Sequence, residues 1–346
     1  MRNKQKILVT GGLGYIGSHT VVELIQAGFE VCIVDDLSNS SLMILDRIEQ
    51  ITGVRPLFYQ INLLDKKQLH TVFTTEKELS AVIHFAAFKA VGESVQEPVR
   101  YFTNNLVSLL HMLEMMDSFQ IPNLVFSSSA TVYGDAEELP VKETTPFQKA
   151  LSAYGSTKQM GEEIIEKTTA VRNIQAISLR YFNPVGAHAS ALIGELPSGV
   201  PNNLMPYITQ VAAGVRPKLT VFGNDYDTPD GTCVRDYIHV VDLAKAHVKS
   251  CERLIHTKNQ EPFEVFNIGT GKGFSVLEII QAFEKQNQLT LNYNIGPRRT
   301  GDSAAMYADV TKAKDLLQWQ AELDLAEIVT SAWKWEQTIH PHNNNV

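Results

Sequence analysis

Cysteine is scarce in this chain of 346 residues. There are three, Cys32, Cys233 and Cys251, odd in number and far apart. They form neither a disulfide framework nor a metal-binding spacing, so a reduced, cytoplasmic setting is expected. Long apolar runs are also missing. The opening apolar stretch, residues 7–9, is too brief for a signal sequence, and nothing approaches the ~18 apolar residues of a membrane span. Positive charge is not in excess: 30 Lys and Arg against 38 Asp and Glu leave a formal net charge of −8. That excludes the basic footprint of a nucleic-acid-binding protein. No internal repeat or low-complexity tract is seen. The tail His340-Pro341-His342-Asn343-Asn344-Asn345 has the composition of a weak metal ligand, but a frayed end is the expectation and no metal site is assigned. At 44% hydrophobic and 20% charged residues, the chain reads as an ordinary globular protein of one large or two medium domains.

The first half alternates short β-branched runs with helical periodicity. Strands are expected over 7–9, 31–34, 57–60, 81–85, 124–127 and 176–179, and helices over 16–27, 42–51, 67–74, 99–117 and 154–169. This alternation predicts an α/β fold with a doubly wound parallel sheet. After Arg180 the pattern changes to loop-rich segments with short helices, one of them opened by a Ser275-x-x-Glu278 capping box. The expected division is 1–180 for the sheet domain and 181–346 for a smaller mixed α/β region. Segments near 236–250 and 264–275, including strands at 238–240 and 266–268, are expected to return to the sheet. Residues 104–119 are apolar nearly all round, so that helix is buried on more than one side, and a dimer face is the favoured explanation.

The first strand runs into Gly11-Gly12-Leu13-Gly14-Tyr15-Ile16-Gly17, which opens a helix. Without side chains at Gly11, Gly14 and Gly17, backbone amides can approach a pyrophosphate at a positive helix end, as in Rossmann-type sheets. Asp35-Asp36 ends the second strand, where a carboxylate accepts from adenosine ribose hydroxyls. The same charge repels a 2′-phosphate, and no arginine lies among residues 35–41 to neutralise one. NAD is therefore favoured over NADP. Phe85-Ala86-Ala87 and Ser127-Ser128-Ser129 end other strands on the same edge.

Tyr154 and Lys158 stand four apart on one helix face. A free phenol, with a pKa near 10, is a poor base at neutral pH, and a nearby fixed cation favours the phenolate. Ser129 follows a strand and faces the same position, where its hydroxyl can pass a proton between a substrate alcohol and the phenol. Ser127 and Ser128 are expected to be turn filler.

With these residues the chain resembles the UDP-glucose 4-epimerases of the extended short-chain dehydrogenase/reductase family. The resemblance covers Lys6 to about Trp335. It is carried by the glycine turn with Ser18-His19-Thr20, by Lys89-Ala90-Val91-Gly92-Glu93-Ser94-Val95 and by Ser127-Ser128-Ser129-Ala130-Thr131-Val132-Tyr133-Gly134. Arg180-Tyr181-Phe182-Asn183-Pro184-Val185-Gly186-Ala187-His188, Pro201-Asn202-Asn203-Leu204-Met205-Pro206-Tyr207-Ile208, Phe222-Gly223-Asn224-Asp225-Tyr226 and Arg235-Asp236-Tyr237-Ile238-His239-Val240 complete it.

The resemblance implies a tightly held NAD and reversible interconversion of UDP-glucose and UDP-galactose through a 4-keto sugar, in a homodimer of galactose metabolism. It implies Tyr154 as the base, Lys158 as the residue that tunes it and holds the nicotinamide ribose, and Ser129 as the bridge to the 4-hydroxyl. Tyr15, Ile16, Asp35, Asp36, Leu37, Ser38, Asn39, Ser40, Phe85, Ala86, Ala87, Phe88, Lys89, Asn104 and Phe182 match NAD-contacting positions. Asn183, Asn203, Leu204, Thr220, Val221, Phe222, Arg235, Arg299 and Asp302 match UDP-sugar positions, and two arginines suit a diphosphate. Asn62-Leu63 stands where many relatives have an aspartate that accepts from the adenine amino group, which implies a looser adenine grip. Met306 occupies the position that borders the sugar's C2 side; its intermediate, flexible side chain leaves tolerance of N-acetylated sugars open.

Two alternatives stand beside this. A nucleotide-sugar 4,6-dehydratase of the same scaffold needs an acid pair just after the serine, where this chain has Ala130 and Thr131. A non-catalytic NAD-binding protein predicts decay of the Ser-Tyr-Lys set, yet all three residues are present.

Overall fold

The structure, a computed structural model, describes residues 4–299 and 302–341. The tail positions 342–345 named above lie outside them. Seven strands, β1 (Lys6–Thr10), β2 (Glu30–Asp35), β3 (Leu57–Gln60), β4 (Leu79–His84), β5 (Asn123–Ser127), β6 (Gln175–Tyr181) and β7 (Phe263–Ile268), form one sheet in the order β7-β6-β5-β4-β1-β2-β3. Every pairing is parallel. Side chains alternate across the pleat. Ile7, Val9, Ile33, Ile83 and Val125 enter one core with helices Tyr15–Gln26, Met43–Thr52 and Val240–Ile255. Leu8, Cys32, Val34, Val82 and Leu124 enter the other, with helices Lys66–Thr75, Ser108–Ser118 and Ala153–Thr169. The order reverses between β1 and β4, which makes the carboxyl edge there the crevice of the sheet.

The later chain departs from the sequence expectation at one strand. Tyr237–His239 does not return to the main sheet; it pairs with Asn183–Val185 in a separate two-stranded sheet. Three residues long, it runs straight into helix Val240–Ile255, and that helix, not the strand, covers the sheet. β7 does join the sheet, beside β6.

The remaining helices Leu204–Ala212, Val276–Asn287 and Leu325–Ile339 share a second core of Met205, Ile208, Ile280, Phe283 and Val329. Ser275 and Glu278 form the capping box that opens one of them. The helix expected over 99–117 is broken into Pro98–Phe102, a π-helical turn Thr103–Val107 and Ser108–Ser118. Its apolar residues divide. Leu109, Met112, Leu113, Met115 and Met116 are buried within the subunit, while Leu110 is 44% exposed.

Candidate active site

β1 ends in the glycine turn. Gly11 has φ +67°, and a Cβ there would lie 2.9 Å from the Ala86 backbone nitrogen. A Cβ on Gly17 would lie 2.1 Å from the Gly11 carbonyl oxygen. A side chain at Gly11 would press on the chain after β4, and one at Gly17 would force the turn and the helix Tyr15–Gln26 apart. Gly14 caps that helix without a side-chain bond, so the amides of its first turn are left to a ligand. Asp35 braces the turn: its Oδ2 accepts from Leu13 N at 3.0 Å, and its Oδ1 accepts from Leu37 N at 3.0 Å and Ser40 Oγ at 2.8 Å. An uncapped helix start facing a buried carboxylate fits a dinucleotide pyrophosphate and its ribose. The residues present therefore suit NAD.

Around this turn, Asp36 accepts from Ser38 N and from Asn62 Nδ2, while Asn62 Oδ1 accepts from Leu64 N. One of the two Asn62 amide N–H groups is thus committed, and one lone pair of its carbonyl remains. Leu63 is buried, and its carbonyl accepts from His111. Tyr15 donates its hydroxyl to Gly186 O at 2.7 Å, and Asn39 accepts from Ser198. After β4, Ala86 N donates to Thr10 Oγ1. Phe88 is held at both its N–H and its carbonyl by Asn105, the buried residue of the π-turn next to Asn104. Asn105 also donates to Thr157 on the Tyr154 helix, at 3.1 Å. Inserting one residue in a helix to aim a side chain inward is a frequent use of such turns. The sequence carried no sign of it beyond a paired asparagine.

Ser152 caps helix Ala153–Thr169, accepting from Gly155 N, and so fixes Tyr154 in the first turn. Tyr154, Ser129 and Lys158 are all buried, and the Ser129 hydroxyl, which accepts from Thr131 N at 3.2 Å, lies beside the phenol. Lys158 Nζ donates to Ser127 O at 2.5 Å and lies 5.7 Å from the centroid of the Tyr154 ring. In the electrostatics of these two groups burial is the largest cause. Burial pushes Tyr154 up to about 12, with Ser129 opposing, and pushes Lys158 down to about 7, with Glu162 opposing. Loss of water disfavours the charged form of each group.

Ser127 and Ser128 are more than filler. Ser127 shares a hydrogen bond of 2.6 Å with Tyr181, and Ser128 donates to Glu162 at 2.5 Å. Glu162 also accepts from Ser178 and from both Nε and Nη2 of Arg180. This buried pair ties the Tyr154 helix to the ends of β5 and β6. Its sequence signal was spacing alone, since Glu162 stands one helical turn beyond Lys158.

The substrate-side residues form a second group. Arg299 binds Asp302 through two nitrogens, at 3.0 and 2.8 Å, and lies 5.9 Å over the Phe222 ring. Arg235 reaches the same carboxylate at 4.0 Å. Met306 pairs with Arg235 across short strands and packs in one cluster with Ala130, Tyr133 and Phe182. The strand Val234–Arg235 thus joins the arginine end to the tyrosine end. Thr220 and Phe222 face outward, but the Val221 side chain is buried in the second core, which leaves only its backbone to that site. Asn183 is exposed, and its N–H donates to Asp236 O. Asn203 precedes Leu204 at a helix start, but its side chain caps nothing and binds Glu195 at 2.7 Å. Glu195 drew no notice in the sequence.

A doubly wound sheet with a glycine turn, a buried aspartate ending the second strand and a Ser-Tyr-Lys set defines an extended short-chain dehydrogenase/reductase. The sequence model of the family described as GDP-mannose 4,6 dehydratase matches residues 8–332. The chain is 50% identical over 333 residues to the UDP-glucose 4-epimerase of Bacillus subtilis, covering 96% of this chain and 97% of that protein. The crystal structure of the Stenotrophomonas maltophila UDP-glucose-4-epimerase with bound NAD and formylated UDP-arabinopyranose is 47% identical, with a TM-score of 0.93, covering 97% of this chain and 98% of that one. That of the Bifidobacterium longum enzyme, in complex with NAD+ and UDP, has the same identity and a TM-score of 0.92, covering 97% of this chain and 99% of that one. The chain belongs to the UDP-glucose 4-epimerase family.

Proposed function

We propose that the protein interconverts UDP-glucose and UDP-galactose at sugar C4, with NAD as a resident cofactor. The observation that carries this is the buried Ser129-Tyr154-Lys158 set followed by Ala130 and Thr131, which supply no acid for expelling water. NAD, held by the glycine turn, Asp35 and the loop after β4, supplies a hydride acceptor that later returns the hydride. Tyr154 takes the proton from the 4-hydroxyl through Ser129 and gives it back when the 4-keto sugar has turned. Lys158 in its charged form favours the phenolate against the burial that opposes it. Arg235 and Arg299 hold the diphosphate about which the sugar turns. Nothing is consumed, so no redox partner is needed.

The NAD-binding part is residues 1–180 with the returning helix and β7, and the rest forms the UDP-sugar side. A homodimer is supported by exposed apolar residues on three helical segments: Val99 at 76%, Leu110 at 44% and Met160 at 44%. A place in the cytoplasm and in galactose metabolism accords with three buried free cysteines and with the substrate pair. Among the described residues no helix is long and apolar enough to cross a membrane. The test is to give the purified protein UDP-galactose with no added oxidant or reductant. UDP-glucose should accumulate to an equilibrium mixture; a 4-keto-6-deoxy product, or no product, would overturn the proposal.

A further inference from the structure

Segment 186–203, between β6 and helix Leu204–Ala212, lies across the residues expected to hold NAD. It touches them at three points: Tyr15 donates to Gly186 O, Ser198 donates to Asn39, and Lys89 pairs with Glu195. Glu195 differs from the other two contacts. Its Oε1 accepts from Lys89 Nζ at 3.3 Å and from Asn203 Nδ2 at 2.7 Å. Lys89 follows β4 on the cofactor side, lying 5.7 Å over the Tyr15 ring. Asn203 belongs to the UDP-sugar side. One carboxylate oxygen is therefore shared between the two halves of the site. The carboxylate is only 12% exposed, and its backbone is fixed by Trp335 Nε1, which donates to Glu195 O at 2.8 Å.

We infer that Glu195 is a positioning residue that couples UDP-sugar occupancy to retention of NAD. This rests on the functional proposal above, which places Lys89 and Asn203 on opposite sides. When the nucleotide sugar engages Asn203, that amide leaves Oε1. The oxygen loses a competing donor, and its bond to the Lys89 ammonium strengthens. The segment then closes more firmly over the cofactor while the sugar is oxidised. By linkage, bound NAD must favour binding of the uridine nucleotide by the same factor.

The experiment measures the rate of NAD release from the holoenzyme, trapped by a large excess of an NAD-consuming dehydrogenase system, with and without saturating UDP. In the parent protein UDP should slow release by about 5-fold or more, the lower end of ordinary coupling. In Glu195→Gln, which keeps the acceptor but removes the charge, the ratio should fall towards one. Asn203→Ala, assayed without UDP, frees Glu195 for Lys89 and should by itself slow release towards the UDP-bound rate of the parent. An unchanged ratio in Glu195→Gln, or release from Asn203→Ala no slower than from the parent, overturns the coupling. So does a parent that turns over UDP-galactose yet releases NAD equally with and without UDP. A protein that purifies without NAD or makes no UDP-glucose would instead overturn the functional proposal, so the two failures are separable.

Discussion

At the scale of single residues, the site sets two buried groups against each other. Burial pushes Tyr154 up to about 12 and Lys158 down to about 7, so it opposes the charged form of both. Tyr154→Phe keeps the ring and removes the proton carrier. Turnover should fall by ~10²–10⁴-fold, the range for loss of a general acid-base group, while purified protein still carries NAD. Near-parental turnover would dismiss Tyr154 as the base. Lys158→Met removes the cation that favours the phenolate, so the rising limb of the kcat–pH profile should move to higher pH; a profile that stays in place contradicts the role. Glu162→Gln acts through another route. It leaves the buried Arg180 guanidinium without its two-point partner, and breaking such a pair costs about 3–5 kcal/mol. Urea unfolding should show that loss, and a midpoint equal to the parent's would mean that Arg180 finds another partner.

At the scale of elements, what was legible followed period and punctuation. The first six sheet strands and the glycine turn announced themselves by β-branched runs and by glycines that no other residue can replace. The capping box at Ser275 did so by a fixed spacing. What stayed hidden depends on tertiary pairing: the strand Tyr237–His239 looked like any other apolar run, and only its partner Asn183–Val185 takes it out of the main sheet. The π-turn that aims Asn105 at Phe88 and Thr157 has no propensity signature. Glu195 is invisible because its link to the cofactor side comes from Lys89, 106 residues away in sequence. The two-residue strand Ala305–Met306 carries the residue expected to border the sugar. Pairing with Val234–Arg235 fixes Met306 at 8% exposure beside Ala130 and Phe182. Met306→Tyr should add a rigid ring there and lower kcat/KM for UDP-N-acetylgalactosamine by about 10–100-fold relative to UDP-galactose. Met306→Gly should shift the ratio the other way. Equal ratios in the parent and both variants would show that this strand does not wall the sugar site.

For the whole molecule, the buried histidines set the response to acid. His19, His84, His239 and His247 are each no more than 3% exposed. Burial drives His19 and His84 down to about 3, and His239 and His247 to about 4. Neighbouring lysines add to it: Lys158 acts on His84, and Lys245 acts on His239. All four are neutral in the folded chain at pH 5, whereas an unfolded histidine takes up a proton below about 6.5. The unfolded state therefore binds more protons, and stability falls as pH drops from about 6.5 towards 4. Each such group contributes at most about 1.4 kcal/mol per pH unit in that window. Carboxyls raised by burial, Glu23, Glu143, Asp236 and Asp242, act in the opposite sense, because they gain protons first in the folded state. The four histidines, all displaced far below their ordinary range, set the expected direction. With NAD and protein concentration held fixed, so that ligand linkage is constant, Tm should be level near neutrality and decline steadily from pH 6.5 to 5. A Tm that stays flat or rises over that interval would mean that these rings already carry protons in the fold, with partners that burial has not denied them.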